Sequence, residues 1–122
     1  MTATDRRCAE SVLRFDELLA RCAGRLDFAE RVIQKFLTHF SQDLESLEQA
    51  WDAGDWDSLT CTAHRMKGAA ANIAAPGLHS LASEVEEAAR QRRPELLSEV
   101  LPRLRDDWLQ FSQTAATQDD LI

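Results

Sequence analysis

Gly54 and Asp55 stand between two long segments whose apolar residues recur at helical spacing. Upstream, Ile33, Phe36, Phe40, Leu44, Leu47 and Trp51 advance in steps of three and four, and downstream Trp56, Leu59, Ala63, Met66, Ala70 and Ile73 do the same. Glycine is the usual residue just past a helix end because it enters left-handed backbone cheaply, and aspartate is a strong N-cap. One residue therefore stops a helix and the next starts another. No chain is left for a crossover, so the two helices must run antiparallel with their apolar faces together.

The same punctuation divides the rest of the chain. The helix before Gly54 is expected to start near Asp27 as its N-cap and to run to Ala53. Pro76 and Gly77 break the helix after Asp55 and open another, with a face of Leu78, Leu81, Ala82, Val85 and Ala89. Pro94 and Glu95 open the last, whose stripe of Leu97, Leu101, Leu104, Trp108 and Phe111 passes straight through Pro102. A proline inside a helix costs about 3 kcal/mol, so the reading is one kinked helix, with a break near Val100 as the alternative. A short amphipathic helix from Ser11 to Cys22, carrying Val12, Phe15, Leu18 and Leu19, precedes these and ends at Ala23 and Gly24. The expected fold is all-α, an antiparallel four-helix bundle with a short additional N-terminal helix. It forms a single domain over residues 1–122, with 1–10 and 114–122 flexible.

Bulk chemistry excludes several functions. A formal net charge of -7 argues against nucleic-acid binding, which normally needs a basic face. Arg90, Arg92 and Arg93 are the one arginine cluster, and they read as a helix C-terminus favoured by the macrodipole. Cys8, Cys22 and Cys61 form no Cys-x-x-Cys pair, so neither a zinc site nor a disulfide framework is indicated, and burial as small hydrophobes is expected. No stretch has the length of a signal peptide's apolar region or a membrane span, which points to a soluble cytoplasmic protein without a membrane partner, and a monomer is expected. No Glu-x-x-His pair faces the bundle interior, as a di-metal centre would require. No glycine-rich loop is present to cradle ATP.

The segment from Ala63 to Ala75, AHRMKGAAANIAA, departs from what a bundle needs. His64, Lys67, Gly68 and Ala71 share one helix face at i, i+3, i+4 and i+7, rotated about a quarter-turn (roughly 100 degrees) out of the core stripe. His64 should face solvent with an ammonium beside it and no side chain at Gly68 to cover it. Singly, these are a surface histidine, a solubilising charge and a tolerated small residue. Yet the chain has only two lysines, Lys35 and Lys67, and a glycine inside a helix costs about 1 kcal/mol relative to alanine. Counting back from Gly54 places Phe40, Ser41, Asp43 and Glu45 around His64, which makes Phe40, Ser41 and Asp43, with Ala71, candidates for a partner-binding surface. Counting from Pro76 brings Glu86 near His64, where it could accept from Nδ1–H and leave Nε2 as the nucleophilic lone pair. The competing reading of Glu86 is a solvated residue in the run Glu84, Glu86, Glu87.

AHRMKGAAANIAA resembles the signature of histidine-containing phosphotransfer domains, Ala-His-x-Leu-Lys-Gly followed by small residues, an aliphatic and a glycine. His64, Met66, Lys67, Gly68 and Ile73 match in register. Ala74 stands where the family usually has its second glycine, and as the next smallest residue it is expected to preserve close packing. The resemblance extends from FDELLARCAG near Phe15 to LHSLASEVEEAAR. It implies that His64 accepts a phosphoryl group on Nε2, that Lys67 stabilises the phosphoryl oxygens and that Gly68 gives steric access. The phosphotransfer domains of chemotaxis kinases also carry a glutamate matching Glu86 that holds the histidine. The implied partners are a response-regulator receiver domain and/or a hybrid histidine kinase. No cofactor is implied on this chain, since Mg²⁺ is expected on the receiver. The expected function is a stand-alone carrier relaying phosphoryl groups between receiver aspartates without kinase activity of its own, the end at Ile122 leaving no room for a kinase domain. The alternative is a non-phosphorylated helical adaptor that binds a partner through the same face.

Overall fold

The computed structural model describes residues 14–121, as five helices: α1 (Phe15–Arg21), α2 (Leu26–Ala53), α3 (Trp56–Asn72), α4 (Pro76–Arg90) and α5 (Pro94–Leu121). The expectations for residues 1–10, Cys8 and Val12 lie outside the described residues. Gly54 adopts φ 67°, and the Asp55 N–H returns to the Ala50 carbonyl at 2.9 Å, which closes α2. The Asp55 carboxylate then accepts from the Ser58 N–H at 3.1 Å and the Ser58 hydroxyl at 2.8 Å, opening α3. These Ser58 bonds hold the Asp55 carboxyl below its ordinary pKa. The α2–α3 pair is antiparallel as the two-residue joint demands. Helix α4 packs along α3 and α5 along α4, and α5 returns to α2 to complete the four-helix bundle.

The periodic stripes form the core. Ile33, Phe36, Phe40, Leu44 and Leu47 of α2 are buried, as are Leu59, Ala63, Met66 and Ala70 of α3, with Ile73 just past its end. The faces anticipated for α4 and α5 are also buried. Phe36, Phe40, Trp108 and Phe111 make one aromatic cluster, in which Phe40 stacks on Trp108 with centroids 4.8 Å apart. Trp51 and Trp56 meet edge-on at 6.1 Å across the Gly54 turn. The short α1 lies over the far end of α3. There the Arg21 guanidinium donates to the carbonyls of Ala71 at 2.7 Å and Asn72 at 3.1 Å, at the end of the helix, where the last carbonyls lack their ordinary i+4 donors.

Several boundaries differ from expectation. The N-cap of α2 is Arg25, not Asp27, because the chain leaves its turn at Gly24 and Leu26 is already helical. Asp27 sits in the first turn instead, where its carboxylate suits the helix dipole and pairs with Arg25 at 3.3 Å and Arg31 at 3.5 Å. Helix α5 runs unbroken past Val100 and Pro102. Pro102 is exposed, so the Ser98 carbonyl that it leaves without its helical donor is on the solvent side. The helix also continues beyond Thr114, because Ala115 extends the buried stripe four residues past Phe111 with no glycine or proline to interrupt it. Cys22 is buried, whereas Cys61 is exposed on α3, contrary to the expectation for it.

The turn between α3 and α4 gives the unusual residue of the signature a different meaning. Ala74 is held at φ 61°, with the Ala75 N–H on the Ala70 carbonyl at 2.9 Å and the Ala74 N–H on the Ala71 carbonyl at 3.2 Å. What a glycine would supply here is left-handed backbone rather than small size, and an L-residue adopts that conformation at a cost of roughly 1–2 kcal/mol.

Candidate functional site

His64 projects from the middle of α3 with 69% of its side chain exposed. The reason is its place in the repeat: Ala63, Met66 and Ala70 turn inward, and the next residue along from Ala63 turns out. Its Nδ1 lies 2.8 Å from Oε2 of Glu86, on the neighbouring α4. Glu86 is only 3% exposed, although it occupies a run of glutamates that reads as solvated. It lies next to Val85 on the buried side of α4, while Glu84 and Glu87 are exposed.

A carboxylate at that depth needs compensation, and it has it. Lys67 places Nζ 2.7 Å from Glu86 Oε1, and Arg90 places Nη2 2.8 Å from Oε2. Burial pushes the Glu86 carboxyl up, but hydrogen bonds from Lys67 and His64, with the Lys67 charge behind them, bring it net below its ordinary pKa. Glu86 is therefore ionised at neutral pH. An ionised carboxylate only accepts hydrogen bonds, so the proton of a neutral His64 must be on Nδ1. Nε2, the ring nitrogen away from Glu86, then carries the lone pair.

Gly68 lies one turn further along α3 and is exposed. A Cβ added there would meet nothing within 4 Å. The glycine is not a close helix contact; it leaves the approach to the imidazole open. Ser41 and Ala71 are exposed, consistent with a surface position, and Asp43 is half-buried. Asp43 accepts from Arg65 at 3.2 Å from Nε and 2.9 Å from Nη2, which pins α2 against α3 next to His64 and strengthens the hold of Arg65 on its proton. Phe40 is a correction. At 1% exposure, stacked on Trp108, it cannot present a surface to a partner. It belongs to the α2 core stripe, and a residue on that stripe cannot also face outward.

Two features were not anticipated. Arg90 was assigned to the helix C-terminus alone, yet it reaches the Glu86 oxygen that also receives His64. The signal was present, since Glu86 and Arg90 stand at i and i+4 in the favourable order. Lys67, expected to serve phosphoryl oxygens, is turned to Glu86 in this state. Among the described residues, no group of three His, Cys, Asp or Glu side chains converges to hold a metal ion, and no helix is long and apolar enough to cross a membrane.

The site is thus an exposed imidazole whose Nδ1 faces a buried carboxylate, on the outer face of a helical bundle. The chain matches the Hpt domain over residues 31–114. It belongs to the Hpt domain family and is a histidine phosphotransfer protein of a two-component phosphorelay. Two solved structures share the fold. The chain is similar to histidine-containing phosphotransfer protein B from Pseudomonas aeruginosa PAO1, with a TM-score of 0.80 and 23% identity over 88% of this chain and 94% of that one. It is also similar to the HPT domain of a sensor hybrid histidine kinase from Shewanella, with a TM-score of 0.79 and 19% identity over 93% and 97% of the two chains. No curated protein matches the sequence.

Proposed function

We propose that Nε2 of His64 is the atom that carries the phosphoryl group, and that this chain passes the group between aspartates of receiver domains without kinase activity of its own. The observation that supports this most directly is the 2.8 Å contact between His64 Nδ1 and the buried Glu86 carboxylate. In the step itself, the Nε2 lone pair attacks phosphorus as the bond from phosphorus to the aspartyl oxygen breaks, and the aspartate leaves as a carboxylate. The ring keeps its Nδ1 proton and becomes positive, and the adjacent Glu86 charge stabilises it. Transfer onward is the reverse, with a different aspartate as acceptor. The receiver supplies its own acidic pocket and Mg²⁺, so this chain contributes an aligned imidazole, cations and an open approach, and needs no cofactor. Lys67 serves the phosphoryl oxygens once the group has arrived. The partners are a receiver domain, a hybrid histidine kinase or both, and the carrier acts as a stand-alone cytoplasmic monomer.

Mixing the protein with a phosphorylated receiver tests this. Wild type should acquire phosphate that is labile in acid and stable in alkali, and His64→Gln should acquire none while its circular dichroism and melting stay near wild type. Label that persists in His64→Gln would move the site elsewhere. Receiver binding with no label on wild type would make the chain an adaptor.

A further inference from the structure

The pairing of Glu86 poses a problem for the transfer step. Its two oxygens hold three donors: Lys67 Nζ on Oε1, and His64 Nδ1 and Arg90 Nη2 on Oε2. Lys67 is asked to serve a phosphoryl group on Nε2, the ring nitrogen away from Glu86. Its ammonium is instead on the carboxylate oxygen that His64 does not use, 2.7 Å away. An ammonium has three donors, but one charge shared between two anions serves each of them less. A lysine on a flexible stem can swing from one to the other, but its departure would withdraw a cation from a carboxylate that is 3% exposed. A buried carboxylate stripped of its cations takes up a proton. A protonated Glu86 would no longer require the proton on Nδ1, and the ring orientation would be lost at the moment it is needed.

We infer that Arg90 is a positioning residue for phosphotransfer: by remaining on Oε2 it keeps Glu86 ionised and in place while Lys67 moves from Glu86 to the phosphoryl group. The inference rests on the reading that His64 carries that group. Three features of Arg90 suit the task. It stands on α4 four residues from Glu86, so the bond lies within one helix and survives any adjustment of α3. Its other arm, Nη1, reaches Glu87 Oε2 at 3.1 Å, so the guanidinium is tied to α4 at two points and does not follow the phosphoryl group. Its guanidinium also carries its N–H donors in a planar fork, so one side chain can hold the Glu86 and Glu87 carboxylates at once. Lys67, on α3 with His64, is the mobile cation, and Arg90 is the fixed one.

Because the Arg90 side chain is 57% exposed, it could otherwise be a contact for the receiver, and saturation kinetics separate the two roles. Phosphoryl transfer from a phosphorylated receiver is followed in single turnovers against receiver concentration, for wild type, Arg90→Ala, Arg90→Gln and Arg90→Lys. Arg90→Ala should lower the saturating rate about tenfold, within the range of coupling between members of one hydrogen-bonded network. Its half-saturating concentration should stay within about twofold of wild type, and Arg90→Lys, which keeps a cation at i+4, should recover most of the rate. Arg90→Gln keeps the length without the charge and should be as slow as Arg90→Ala, so it carries the test if Arg90→Ala melts early. An unchanged saturating rate would overturn the inference. So would a rise confined to the half-saturating concentration, which would make Arg90 a docking contact, or Arg90→Lys as slow as Arg90→Ala. Failure of wild type to accept phosphate at all would instead overturn the phosphotransfer reading and this inference with it.

Discussion

Glu86 does at the residue scale what no surface glutamate could: it fixes a tautomer by being buried, ionised and adjacent. Its pKa is lowered in the fold from 4.5, so on acidification the unfolded chain takes up this proton before the folded one does. The stability it contributes is fully present above about pH 4.5 and is lost as pH falls through the depressed folded value. Glu86→Gln should therefore flatten the acid limb of melting temperature against pH, and at pH 7 it should cost about 1–3 kcal/mol because Lys67 loses its partner. An acid limb identical to that of wild type would show that another carboxylate sets it. Gly68 lies at the opposite extreme, exposed with open space where a side chain would begin. Gly68→Ala should stabilise α3 by up to about 1 kcal/mol. Gly68→Gln should melt no lower than wild type and yet lose most phosphotransfer, because the longer side chain projects over the imidazole at the i+4 spacing. A Gly68→Gln protein that is stable and transfers normally would remove access as the reason for the glycine. At this scale the spacing His64, Lys67, Gly68 was legible because helix geometry alone puts those residues on one face. Whether Glu86 was buried was not legible, since that depends on how α4 is rolled against α3.

Between elements, the joints are more informative than the helices. The Gly54-Asp55 joint could be read because each residue has one strong local preference and the structure uses both. The Ala74 joint was read for size alone, because an alanine in the place of a glycine does not say whether small volume or left-handed backbone is what the position needs. Ala74→Gly relieves that conformation at the price of a more flexible unfolded chain, and the net gain should be about 0.5–1 kcal/mol. A chemical denaturation midpoint that rises at unchanged slope would bear this out. A lower midpoint would mean that the Ala74 methyl group packs well enough to offset the strain. The Asp27 boundary was missed for a related reason, since an aspartate is nearly as favourable in the first turn of a helix as at its cap. Phe40 was misplaced by counting distance along α2 without its angle. Distance placed it near His64, but the angle, which the core stripe already specified, pointed it inward.

For the whole molecule, the bundle is a scaffold that separates two environments along α3. Its inner face is sealed by apolar side chains, and its outer face carries His64 between Glu86 on one side and open solvent at Gly68 on the other. That separation was readable from periodicity, which is why the fold and the position of the imidazole could be anticipated, whereas the Arg90 contact was announced only by its i, i+4 spacing from Glu86. The central claim, that the phosphoryl group resides on Nε2 of His64 with Nδ1 still protonated toward Glu86, is tested most directly by NMR. Protein labelled with ¹⁵N in its histidine rings is phosphorylated by a receiver, and the one-bond coupling between ³¹P and ¹⁵N is recorded. The expected result is coupling to Nε2 of His64 alone, with its Nδ1 still bearing a proton. Coupling to Nδ1 of His64, or to either ring nitrogen of His39 or His79, would contradict it.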